Sequence, residues 1–251
     1  MTIPLVAVAH GSRDPRSAAT VRALVAKVAE AAPDVDVRVS FLDLSTPRVP
    51  DVLHRLHGEG HREIVVVPLL LGSAYHARVD LPALVDEVTA GRPGLRVTIS
   101  DVLGIDPTLE AVALDRLSET GVEISEPGLG LVLAAVGSSN APANAAVTRI
   151  AERWQARHGL PVVPAFASAT KPDMPGAIAK LRARGAHRIA VASWFLAPGL
   201  LPDRVARLAE EAEPGVLIAG PLGPDPRVAE LVLRRYETAI EARHGRVKLL
   251  A

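Results

Sequence analysis

The amino-acid sequence repeats itself, and the repeat limits the fold more than any single motif does. Leu129 to Ala135 matches an earlier apolar run at Leu5 to Ala9, and each run leads into a Gly-Ser pair, Gly11-Ser12 and Gly137-Ser138. Phe166, Pro172, Pro175, Leu181, Gly185 and Ile189 fall opposite Phe41, Pro47, Pro50, Leu56, Gly60 and Ile64 without a gap. Leu222-Gly223-Pro224-Asp225-Pro226 echoes Leu103-Gly104-Ile105-Asp106-Pro107. Self-similarity of this kind means two tandem copies of one unit. The copies are expected over residues 1–122 and 127–251, with the join near Thr120 to Gly128, where Gly121, Pro127 and Gly128 mark a linker.

Within a copy, strands and helices alternate. Leu5 to Ala9, short and uncharged, reads as a strand buried on both faces of a parallel sheet. Gly11 permits a sharp turn, Asp14 suits an N-cap and Pro15 the first helical position, so a helix is expected from about Pro15 to Ala32. Val35 to Leu42 is the second strand, and Ser45-Thr46-Pro47 is expected to open a helix to about Gly58, with a capping hydroxyl ahead of the proline. Ile64 to Leu71 is a third, central strand with a bulge or break at Pro68, which has no amide hydrogen. A helix from about Arg78 to Ala90, a strand at Leu95 to Ser100 and a helix from Pro107 to about Glu119 complete the unit. The fold class is α/β: two tandem doubly wound parallel-sheet domains, related by a pseudo-twofold duplication, with a cleft between them.

Composition enters as a filter on partners. Lys+Arg of 28 against Asp+Glu of 28 leaves no net field to attract nucleic acid or an anionic membrane. With no cysteine there are no disulfides, thiolate metal sites or iron–sulfur clusters. The longest apolar run, Ile64 to Leu71, is far short of the ~20 residues of a membrane span. The opening Met-Thr-Ile-Pro lacks the basic region of a signal peptide, so a cytoplasmic protein is expected.

The two copies differ at the strand ends. His10 faces Val136, His76 faces Leu201 or Pro202, and Asp43 faces Ser168, so the first copy carries the polar groups. If each sheet is ordered 2-1-3-4, the winding reverses between strands one and three, at the point where open α/β sheets bind ligands. His10 and His76 then overhang one crevice, with Asp43 on the far side of strand one. Two imidazoles and a carboxylate suit a borderline divalent cation, and three or fewer protein ligands leave coordination positions open. The positive end of the following helix favours a neutral His10, as metal binding requires. Arg13, Arg16 and Arg78 flank the crevice and could grip carboxylates.

Each feature has a plainer reading beside it. A histidine at a strand–helix junction also serves as a hydrogen-bonding turn residue, and arginines there also coat a helix. His54, His57 and His61 read as solvated surface, because Ala179 and Arg182 stand opposite the first two. Trp194 and Phe195 read as core, with a stacking wall for a flat ligand as the alternative. A hydrolase or phosphoryl-transfer enzyme with His10 as base and Ser12 as nucleophile lacks any oxyanion or phosphate loop, and no G-x-S-x-G, Walker or H-E-x-x-H motif occurs.

Three segments carry a family resemblance: Ala9-His10-Gly11-Ser12-Arg13-Asp14-Pro15, Phe41-Leu42-Asp43-Leu44-Ser45-Thr46-Pro47, and the run from Pro68 through Tyr75-His76-Ala77-Arg78 to Pro82. Together they resemble the sirohydrochlorin chelatases of the CbiX type, end to end and including the two-copy layout of the longer members. The resemblance implies the class II chelatase fold and insertion of Co²⁺ or Fe²⁺ into sirohydrochlorin, with Ni²⁺ or Zn²⁺ as surrogates and no organic cofactor. The family's metal-binding, catalytic histidines fall on His10 and His76. A family glutamate falls on Asp43, one methylene shorter, and Tyr75 stands where relatives often have glycine. The tetrapyrrole is then expected between the domains, its carboxylates met by Arg13, Arg16 or Arg78 and by backbone amides near Gly11 and Ser12. The chain is expected to work as a monomer or homodimer, without nucleic acid or membrane. A non-catalytic metal or tetrapyrrole carrier using the same crevice is the alternative.

Overall fold

The computed structural model describes residues 2–72 and 79–249, without the side chains of 244–249. Its elements alternate strictly. The first half contains β1 (Leu5–Ala9), α1 (Pro15–Ala31), β2 (Val37–Phe41), α2 (Val49–Gly58), β3 (Glu63–Pro68), α3 (Leu81–Ala90), β4 (Arg96–Ile99) and α4 (Pro107–Ser118). The second contains β5 (Leu129–Ala135), α5 (Ala141–His158), β6 (Val162–Phe166), α6 (Met174–Ala183), β7 (Arg188–Trp194), α7 (Leu200–Ala212), β8 (Leu217–Ile218) and α8 (Pro226–Leu249). Both sheets are four-stranded and parallel, ordered β2-β1-β3-β4 and β6-β5-β7-β8, which is the expected winding. The registers agree with the repeat: Ala9 pairs with Phe41, and Ala135 with Phe166.

Burial follows from this topology. β1 and β5 are central and wholly buried, which explains their unbroken apolar sequences. One face of the first sheet, through Val6, Val8, Ile64 and Val66, packs on Leu53, Leu56, Val85 and Val88 of α2 and α3. In the second, Val132, Ala134, Ile189 and Val191 pack on Ile178, Leu181, Val205 and Ala209 of α6 and α7. Trp194 and Phe195 are buried, as core residues should be.

Two local expectations are corrected. α2 starts at Val49, not at Pro47, and no hydroxyl caps it. The chain first folds back so that Phe41 N–H donates to the Pro47 carbonyl at 2.9 Å, which holds Pro47 outside the helix. β3 ends at Pro68, the expected break, rather than running to Leu71, and Leu69 N–H makes one last bond to the Val8 carbonyl at 2.7 Å.

The chain compacts into two units, Met1–Gly104 with Gly223–Ala251, and Ile105–Leu222. These are not the tandem copies: the closing helix of each copy belongs to the other unit. α8 is fastened to the first sheet's unit, where Tyr236 Oη donates to the Ile3 carbonyl at 2.5 Å. Arg235 donates from Nε and Nη2 to the carbonyls of Val102 and Leu103, each at 3.0 Å. α4 is fastened to the second sheet's unit, where Glu110 accepts from Trp154 Nε1 at 2.9 Å and pairs with Arg153. No described helix is long and apolar enough to cross a membrane.

Candidate functional site

His10 follows the last residue of β1, at the carboxyl end of a strand flanked by β2 and β3. The winding reverses between β1 and β3, so His10 stands at the switch point of the first sheet. The residue is half-buried, and its Nδ1 lies 3.2 Å from the Gly11 carbonyl oxygen. With the proton on Nδ1 the ring donates there, and Nε2 presents its lone pair, the form in which imidazole ligates a metal.

The turn around His10 is built by backbone contact with the loop after β2. Gly11 has φ +94°, and a Cβ there would lie 1.7 Å from the Asp43 carbonyl oxygen, so no other residue fits. Asp43 N–H donates to the His10 carbonyl at 2.9 Å, which locks the two loops side by side. Ser45 closes the clasp: its Oγ accepts from Ser12 N–H at 3.2 Å and donates to the Ser12 carbonyl at 3.0 Å. Ser12 Oγ accepts from Asp14 N–H at 3.0 Å. Ser12 thus has its amide and hydroxyl committed to the turn.

Asp14 caps α1 through Arg16 N–H at 2.9 Å, and the Arg16 guanidinium grips the same carboxylate from Nε and Nη2. Hydrogen bonds from the Arg16 side chain and then its amide hold the Asp14 carboxyl below the usual carboxylate range. Asp225 and Arg227 make the same clamp at the start of α8, a helix preceded by no strand-end histidine in its own repeat. The Asp-Pro-Arg clamp is therefore a way to start a helix, and Arg16 is engaged in it. Arg13 is exposed and, among the described residues, has no hydrogen-bond or ion-pair partner.

Asp43 follows the end of β2, and its backbone lies beside the His10 loop. Its carboxylate is exposed and meets Arg48, Nη1 to Oδ1 3.1 Å, a residue that sequence reasoning passed over. The signal was available: a cation directly before Val49-Pro50 sits where a helix start favours an oxygen acceptor. Ser45 was read as opening a helix, and its clasp on Ser12 has no local sequence signature. His76 and Arg78 lie outside the described residues.

Other polar groupings carry less. Asp36, Glu59 and His61 come close enough to surround a cation, but Arg38 already bonds both carboxylates, so a positive charge occupies the position. A cavity of about 750 Å³ lined by Ser118, Val122, Glu123 and His158 contains none of the strand-end residues.

Comparison with known proteins identifies the family. A family model described as CbiX matches residues 4–120 and 130–239. The chain is 28% identical over 206 residues to a sirohydrochlorin ferrochelatase of Bacillus subtilis (strain 168), covering 80% of this chain and 78% of that protein. It is 24% identical over 254 residues to a sirohydrochlorin cobaltochelatase of Priestia megaterium, covering 96% and 80%. The solved structure of SirB from Bacillus subtilis with Fe³⁺ superposes with a TM-score of 0.82 at 25% identity, covering 97% of this chain and 98% of that one.

Proposed function

This chain belongs to the CbiX family, and from that premise we propose that it is a sirohydrochlorin chelatase, inserting Co²⁺ or Fe²⁺ into the macrocycle. The observation that carries the reading is His10 itself. It is a half-buried imidazole on a glycine turn at the switch point of the first sheet, and Val136 stands in its place in the second. Relatives named as cobaltochelatase and ferrochelatase both match, and imidazole with carboxylate suits either ion.

In this reading the metal is a substrate, held by His10 and His76 with Asp43 as a third donor. Ni²⁺ or Zn²⁺ bind the same donors as surrogates, and no organic cofactor is needed. The loops shed water from the ion and hold it over the ring. As metal–nitrogen bonds form, two pyrrole N–H protons leave, and imidazoles released from the ion accept them. Among the described residues, the exposed large apolar side chains are Leu44 and Val79 in one unit and Val136 and Leu200 in the other. Within the first unit, Leu44 and Val79 lie in connections that follow strands, which suits a ligand with an apolar face. Of the three arginines expected at peripheral carboxylates, Arg13 is the one among the described residues whose guanidinium is not already engaged.

The test is metallation of sirohydrochlorin by Co²⁺, followed by visible absorbance. The enzyme turns over many equivalents, whereas a carrier gives a stoichiometric change and no acceleration. His10→Ala and His76→Ala each lower the rate by about 10²-fold or more while the circular dichroism spectrum is kept. Both variants at the parent's rate would reject the reading.

A further inference from the structure

The two repeats treat one helix start in opposite ways. α6 begins after Asp173, whose carboxylate accepts from Gly176 N–H at 3.2 Å and pairs with Lys171. The matching position before α2 is Arg48: in both copies it directly follows the proline whose carbonyl accepts from the last strand residue, Phe41 or Phe166. Arginine is a poor choice there. It offers no acceptor to the free amides, makes no capping bond, and puts a cation at the positive end of the helix. The first copy has given up a good cap, and what it holds in exchange is the contact from Arg48 Nη1 to Asp43 Oδ1 at 3.1 Å. The second copy has neither partner, since Ser168 stands opposite Asp43. A local rule broken only in the copy that carries His10 marks a functional residue.

We propose that Arg48 is a positioning residue that latches the Asp43 carboxylate in the metal-free protein and yields it when the divalent ion arrives. The inference rests on the reading of His10 and Asp43 as donors to the substrate metal. Asp43 hangs on an exposed loop whose backbone is fixed by its bonds to His10 and Ser45, while the carboxylate itself is open to solvent. Unheld, it samples several rotamers and attracts any cation. The guanidinium keeps it in one place and balances its charge. Because the pair is exposed on both sides, it is weak enough for a metal to displace. The latch therefore lowers affinity for the free ion and favours release of the metal to the macrocycle.

The experiment titrates Co²⁺ into the full chain without tetrapyrrole, using competition with a chromophoric chelator. Arg48→Ser removes the guanidinium and supplies a hydroxyl suited to the cap, so it is expected to melt no lower than the parent and to bind Co²⁺ about three- to fivefold more tightly. Asp43→Asn binds more weakly, and the double variant binds as Asp43→Asn does, because Arg48 acts through that carboxylate. Arg48→Lys restores most of the parent's affinity. Equal affinity for Arg48→Ser and the parent overturns the proposal. So does a tightening that survives in the Asp43→Asn background, which would mean the cation acts through space on the ion. His10→Ala without effect on Co²⁺ binding would instead remove the underlying site, and is read separately.

Discussion

The turn after β1 and the turn after β5 have the same backbone and different chemistry. A Cβ on Gly11 would strike the Asp43 carbonyl at 1.7 Å, and one on Gly137 the Ser168 carbonyl at 2.1 Å. Leu44 and Ala169 occupy matching positions and both have positive φ, 59° and 64°. In each turn a serine backbone is clasped from both sides, but by different residues. Ser45 from the loop after β2 holds Ser12, whereas Asn144 from α5 holds Ser138 through Oδ1 and Nδ2 at 2.9 and 2.7 Å. The strained geometry therefore belongs to the fold and not to catalysis, because the turn that carries Val136 in place of a histidine pays for it too. The side chains placed on that frame are what separate a turn that carries a candidate metal ligand, His10, from one that carries Val136.

Exchanging residues between the turns tests this directly. His10→Val gives the first turn the residue of the second, and metallation is expected to fall by about 10²-fold or more with the melting temperature nearly unchanged. The reciprocal Val136→His leaves the rate where it was, because Ser168 and Asp173 replace the Asp43–Arg48 pair there; a gain in activity would show the histidine alone suffices.

Glycine replacements probe the frame itself. Gly11→Ala and Gly137→Ala each force a methyl group onto backbone carbonyl oxygen at positive φ, and each should destabilise its unit by about 2–4 kcal/mol in urea unfolding. A neutral Gly137→Ala beside a damaging Gly11→Ala would mean the two turns are not equivalent after all.

A smaller effect lies in the caps. Asp14 accepts from Arg16 N–H, while its counterpart before α5, Asn140, makes no side-chain capping bond and cannot titrate. The Asp14 carboxyl is held below its ordinary 3.8 in the folded chain, so its stabilisation is complete at neutral pH and is lost as the pH falls through that lowered value. Asp14→Asn should flatten the acid limb of stability below about pH 4. The reverse change at the matching position, Asn140→Asp, should steepen it, as followed by fluorescence of the two tryptophans.

Much of this was legible in the residues alone. Uninterrupted apolar runs identify central parallel strands, since only burial on both faces removes the need for alternation. Asp14-Pro15 and Asp106-Pro107 mark helix starts to the residue, because proline tolerates only the first turn and aspartate satisfies the amides there. His10 stood out because its partner in the second copy is apolar. Legibility failed where a contact joins distant segments. Arg16 looked available for a ligand until the structure showed it gripping Asp14, and the Ser12 amide looked open until Ser45 was seen to cap it.

The sequence by itself determined the duplication, the alternation of strands and helices and the histidine at the carboxyl end of the first strand. These follow from periodicity and turn chemistry, both of which act over short stretches of chain. Only the tertiary structure decided that α4 and α8 each complete the other copy's unit, and that Asp43 is met by Arg48. An amphipathic helix carries the same apolar stripe whichever sheet it covers. A surface guanidinium likewise has no local signal naming the carboxylate it will reach, so both outcomes depend on packing between segments far apart in the chain.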